Sequence, residues 1–167
     1  MKNIKFKDSE YYQIMSPDMN LEGEIDLNEH FKIVHEFFKN IPIEQIDHKY
    51  DVNKWSVKEI LGHLIDCHNL ILYRILSFSR GEKYEINGAD ENLWVKESGH
   101  SLIDYKILLK IYPIVAHATQ VQLELIPDHA FNNVGVANGI ILKVSELFPY
   151  LTGHENHHIR VIKEKYL

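Results

Sequence analysis

The sequence predicts an all-α protein, a four-helix bundle with a long crossover loop between its second and third helices. Four stretches of the 167-residue chain repeat apolar residues at intervals of three and four, the spacing that puts one apolar stripe on each helix. Start and stop signals bracket these stretches. The composition, 45% hydrophobic and 25% charged, is that of an ordinary globular domain, and a chain of this length buries roughly two-thirds of its unfolded surface without disulfides.

Residues 1–25 carry aromatic and acidic residues with Pro17 and Gly23 but no sustained period, so they read as an irregular N-terminal arm with a short helical turn near Glu10–Met15. The bundle domain is expected over residues 26–167. Leu27, Phe31, Val34, Phe37 and Phe38 mark the first helix, which Asp26 or Asn28 caps and which stops near Asn40, before Pro42. A polar connector leads to Ser56-Val57-Lys58-Glu59, a capping box, and to a second helix whose buried stripe is Val57, Ile60, Leu64, Cys67, Ile71, Ile75 and Phe78. Gly81 supplies its stop.

Residues 82–100 are polar, with Gly88, Gly99 and Trp94, and form the expected crossover loop. Ser101 opens the third helix, carried by Leu102, Tyr105, Leu109, Tyr112, Ala116 and Leu123, with a kink expected at Pro113 and an end at Pro127. The Asn- and Gly-containing stretch 128–142 is compatible with a loop or a short extended pair, and a loop is preferred. The fourth helix runs from about Val144 through Leu147, Leu151, His154, His158 and Val161, with Pro149 casting its start into question.

Several function classes are disfavoured. The longest apolar stretches fall short of the ~20 residues of a membrane span. Net charge is −6 and the only arginines are Arg74, Arg80 and Arg160, so no basic face for nucleic acid is expected. The N-terminus lacks a signal-peptide pattern, and Cys67 has no partner for an internal disulfide, so a cytoplasmic location is expected.

The outlier is histidine, with eleven residues. His154 and His158, four apart, project from one face of the fourth helix and can direct two imidazoles at one ion. A third ligand must come from another helix, and His63 lies on the core side of the second, three residues after Ile60. The predicted metal ligands are therefore His63, His154 and His158. Gly62 and Gly153 precede two of them. Those glycines signal either a close helix approach around an ion or simple relief of crowding. Glu59, Asp66 and Tyr150, each one turn from a ligand, are candidates to orient the rings. Cys67 reads as a small core residue and not a ligand. The other histidines, His30, His35, His48, His68, His100, His117, His129 and His157, read as surface or loop residues.

His154-Glu155-Asn156-His157-His158 also spells H-E-x-x-H, the zinc-protease helix in which the glutamate activates water. The nine residues that follow offer only Glu164 as a further ligand, on the same helix. The protease reading is set aside, and Glu155 is assigned to a supporting or solvent role.

Trp55-Ser56-Val57-Lys58-Glu59-Ile60-Leu61-Gly62-His63-Leu64-Ile65-Asp66, followed by Gly153-His154-Glu155-Asn156-His157-His158-Ile159-Arg160, resembles the DinB and YfiT-like superfamily. Asp90–Gly99, with Trp94, and the C-terminal Ile159–Leu167 extend the likeness. The resemblance implies an up-down-down-up bundle and one nickel or zinc ion on histidines matching His63, His154 and His158. It further implies metal-dependent hydrolysis or transfer of a low-molecular-weight thiol, with a small molecule or a thiol as partner. The rival expectation is a non-enzymatic bundle stabilised by metal, whose exposed aromatics mediate homodimerisation or other binding. No catalytic residue is assigned at this level.

Overall fold

The computed structural model describes residues 4–19 and 26–167, so the expected arm boundary at residue 25 lies outside the described residues. Four long helices form the bundle: α2 (Leu27–Lys39), α3 (Val57–Ser79), α5 (Tyr105–Glu124) and α6 (Val144–Lys165). Two short helices accompany them, α1 (Glu10–Met15) and α4 (Glu91–Glu97). The long helices close a ring in the order α2, α5, α3, α6, so α2 and α3 occupy opposite corners. No helix among the described residues is long and apolar enough to cross a membrane.

Local chemistry explains the boundaries. Asp26 accepts from the Glu29 amide at 3.0 Å and starts α2. The capping box at α3 is complete: Ser56 Oγ accepts from the Glu59 amide, and the Glu59 carboxylate accepts from the Ser56 amide at 2.7 Å. Gly81, at φ 79°, follows its last turn. Apolar side chains on the four inner faces meet in one core that includes Phe38, Leu64, Ile75, Leu108, Leu147 and Ile162.

Three expectations are corrected. The third helix begins at Tyr105, because Asp104 caps it through the Lys106 amide, and Ser101 lies in a preceding 3-10 turn. The fourth helix begins at Val144 as expected, with Pro149 inside it, and Pro113 lies inside α5. The crossover is not all loop: Asp90 accepts from the Leu93 amide and starts α4. Residues 128–142 are not a simple loop either, since β2 (Val134–Ala137) and β3 (Ile140–Lys143) pair antiparallel. The turn between them is Asn138-Gly139, with φ of 52° and 74°, the left-handed pair that two-residue hairpins require.

A third strand, β1 (Ile4–Lys5), pairs parallel with β3, which brings the N-terminal arm onto the hairpin. Phe6 follows it into the core. Further on, the Asp18 carboxylate accepts from Arg160 Nε and Nη2 at 3.1 and 2.9 Å, and Asn156 Nδ2 donates to the Asp18 carbonyl at 3.1 Å. The crossover joins the same assembly, because the Ile86 amide donates to the Val136 carbonyl at 2.9 Å. Arm, crossover and hairpin thus gather beside α3 and α6, where the candidate ligands lie.

Candidate metal centre

The three predicted ligands meet. α3 supplies His63 and α6 supplies His154 and His158, one helical turn apart. Nε2 of His154 stands 3.3 Å from Nε2 of His63 and 3.1 Å from Nε2 of His158. The three rings lie 71–79° from one another, with centroids 4.6–5.1 Å apart. Among the described residues they are the group of donor atoms gathered within 4.8 Å that fits a metal ion.

The spacing can be tested against coordination geometry. With metal–nitrogen bonds of about 2.0–2.1 Å, ligand nitrogens are about 2.9 Å apart at a right angle and about 3.3 Å apart at the tetrahedral angle. The observed 3.1 and 3.3 Å fall within that range. The chemistry also fits, since burial lowers the pKa of His63 to about 4 and of His154 to about 3, with neighbouring histidines adding to the effect, and takes His158 well below its ordinary value. The rings are therefore neutral and can donate a lone pair.

The candidates for orienting these rings have mixed fates. Glu59 is engaged in the α3 cap and with Lys49 Nζ at 2.7 Å, so it serves the helix start. Asp66 lies 3.8 Å from His100 Nδ1, and burial raises its pKa against the opposing charge of His100. Tyr150 packs its ring parallel to that of His154, at 6.2 Å between centroids. Trp55, just ahead of α3, lies against His63 at 4.8 Å and stacks on His158 at 6.2 Å. Buried Nδ1 of His154 has no hydrogen-bond partner among the described residues. Cys67 Sγ lies 3.5 Å from His63 Nε2, and burial keeps the thiol protonated.

The two glycines relieve crowding. A Cβ on Gly62 would lie 2.2 Å from Nδ1 of His100, and one on Gly153 would lie 2.4 Å from Met19 Cγ. Gly62→Ala is expected to destabilise the protein by about 1–3 kcal/mol through overpacking, despite the better helix propensity of alanine. Thermal unfolding checks this, and an unchanged or higher midpoint would contradict it.

The reading of the remaining histidines needs correction. His48, His117 and His129 are exposed as expected, but His68 and His100 are buried and His30 and His35 are half-buried. Glu155 is not a solvent residue. Its side chain is fully buried, with Oε2 2.8 Å from His30 Nε2, Oε1 3.0 Å from His68 Nε2, and a hydrogen bond accepted from the Tyr112 hydroxyl. These bonds occupy the carboxylate that the H-E-x-x-H reading would need for activating water.

A cavity of about 270 Å³ opens beside the ligands. Its walls include Trp55, Leu70 and Trp94, and Asp66, Arg74 and Glu91 add charged groups. Phe6 and Ile14 of the arm and Ala137, Ile140 and Leu142 of the hairpin complete the rim.

Three imidazoles that could hold a metal ion thus converge from two helices of a four-helix bundle, beside a small cavity. A family model described as the DinB superfamily matches residues 26–162, and the chain belongs to that superfamily. No curated protein matches the sequence. Among solved structures the fold is similar to that of YfiT from Bacillus subtilis, described as "a probable metal-dependent hydrolase with an unusual four-helix bundle topology". That similarity has a TM-score of 0.71 at 18% sequence identity, covering 87% of this chain and 89% of the other.

Proposed function

We propose that the protein is a metal-dependent enzyme acting on small molecules, with one zinc or nickel ion held by His63, His154 and His158. The observation that carries this reading is the approach of His154 Nε2 to Nε2 of His63 and of His158 at separations an ion would set, with all three rings gathered at the wall of a cavity. Its volume of about 270 Å³ lies near the lower end of small-molecule sites.

Three protein ligands are the donor set of a catalytic site, as a structural site closes its fourth position with another side chain. When bound, the ion supplies a Lewis acid that favours the deprotonated form of water or of a small thiol. Trp55 holds His63 and His158 from outside the helix pair, and the apolar walls limit water around a bound substrate. Asp66, its pKa raised by burial, is the cavity carboxyl suited to exchanging a proton with substrate. Both thiol transfer and hydrolysis are compatible with this equipment, and the resemblance to thiol-transferring relatives favours the first.

A panel of small thiols paired with electrophiles, run beside an ester panel, tests the proposal. Turnover in one panel, lost on chelation while the helical fold persists, is the expected result. Absence of turnover in both, with metal bound, would favour a metal-stabilised binding module instead.

The neutral ligands imply a particular pH response. Protons compete with metal only near or below the lowered values of about 4 for His63 and about 3 for His154. Zinc affinity is therefore expected to be nearly constant from pH 8 down to 6 and to fall on further acidification toward 4. Competition titrations with a chelating indicator check this, and a steep decline between pH 8 and 6 would contradict it.

A further inference from the structure

One carboxylate ties α6 to each of the three other long helices of the bundle, to α2 and α3 beside it and to α5 across the core. Glu155, the residue after His154 on α6, meets His30 of α2, His68 of α3 and Tyr112 of α5. An ionised carboxylate can only accept, so each histidine presents an Nε2–H to it. His68 is held from its other side as well, with Nδ1 3.0 Å from Thr119 Oγ1 on α5. Glu155, His68, Tyr112 and Thr119 are all buried.

We propose that Glu155 is the positioning residue of the metal centre: the clamp on its carboxylate fixes the rotation of α6 and thereby aims His154 and His158 at His63. The inference rests on the metal-site reading above. Metal-bound histidines are ordinarily oriented through their second nitrogen, but Nδ1 of His154 has no such partner among the described residues. Its aim must then come from the helix that carries it. Tyr150, which stacks on that ring, belongs to the same helix and cannot resist its rotation.

Magnitudes show why a clamp matters. A ring nitrogen roughly 6 Å from the helix axis moves about 1 Å for each 10° of rotation, whereas metal–ligand distances hold to about 0.2 Å. The apolar contacts of Leu147, Leu151 and Ile162 are non-directional and set that angle only loosely. Hydrogen bonds from three directions fix it more sharply. At about 100° per residue, the clamped side chain points about 80° away from the mean direction of His154 and His158, so it holds the helix without entering the site. α3 takes part twice, with His63 at the centre and His68 at the clamp.

The test compares full-length Tyr112→Phe and Glu155→Gln with Ile75→Ala, which opens a cavity in the α3 core three turns beyond His63. Zinc affinity is read by competition, ligand geometry by the visible absorption of the cobalt(II) protein, and stability by unfolding without metal. Tyr112→Phe and Glu155→Gln are expected to weaken zinc about tenfold or more and to alter the cobalt bands. Ile75→Ala is expected to lower stability but keep native affinity and bands. Tyr112→Phe keeps the ring in place and decides the question if Glu155→Gln fails to fold. Native affinity and bands in a folded clamp variant, or equal changes in Ile75→Ala, would overturn the positioning role while leaving the metal site intact. Native protein that takes up neither zinc nor cobalt would overturn the metal reading and this inference together.

Discussion

Glu155→Ala is expected to be among the most destabilising single substitutions in this chain, by about 3–5 kcal/mol, because it removes one side of a buried charged network. It would leave Nε2 of His30 and His68 and the hydroxyl of Tyr112 without their acceptor, and His68 and Tyr112 are fully buried. Burial opposes ionisation of Glu155, but bonds from His30 and His68 and their charge outweigh it and lower the carboxyl pKa from 4.5 to about 2. A depressed carboxyl stabilises the fold fully above its unfolded pKa and loses that contribution as pH falls through the folded value. The native protein should thus surrender this stability between about pH 4.5 and 2, and Glu155→Gln should lack that segment of its acid profile. Urea titrations at pH 7 and across the acid range measure both effects. A loss below about 1 kcal/mol for Glu155→Ala would mean that the network is replaced by water or repacking.

His154→Ala should abolish stoichiometric metal binding. This ring is the centre of the trio, with one short approach to His63 and another to His158. Removing it leaves two donors on different helices and no third ring to complete the set. His63→Ala and His158→Ala should behave similarly, since two imidazoles underbind a divalent transition metal. Elemental analysis of protein prepared without an affinity tag is the measurement: about one zinc or nickel per native chain and essentially none in the variants, with helical content retained. Metal retained at full stoichiometry in His154→Ala would place the ion elsewhere.

The histidine cluster was legible in the sequence because its signals are local and periodic. His154 and His158 share a helix face, and His63 falls on a stripe announced by a capping box. The clamp was legible only in part. His68 lies four residues after Leu64 and three before Ile71, and Glu155 lies midway between Leu151 and Ile159, so both occupy core positions of their helices. Polarity hid this, since charged and imidazole side chains ordinarily sit at the surface unless paired. Their pairing joins residues 125 and 87 positions apart in the chain, for His30 and His68 respectively, and no local pattern shows it. The hairpin is a different case. Asn138-Gly139 was a strong turn signal, but the flanking strands are only four residues each, and burial alternates along β2 but not along β3. The glycines beside the ligands were ambiguous because their neighbours, His100 and Met19, come from segments without a helical period.

The rim of the cavity has a consequence for how such a protein can diversify. His63, His154 and His158 stand on two bundle helices, while much of the surrounding wall comes from the arm, the crossover and the hairpin. Under the proposed function, substrate preference and metal retention are therefore written in largely separate stretches of the chain. A lineage can redraft Phe6, Trp94 or Ile140 to admit a differently shaped molecule without revising a single coordinating atom. In such a history the bundle would be the constant socket and the rim its interchangeable fitting.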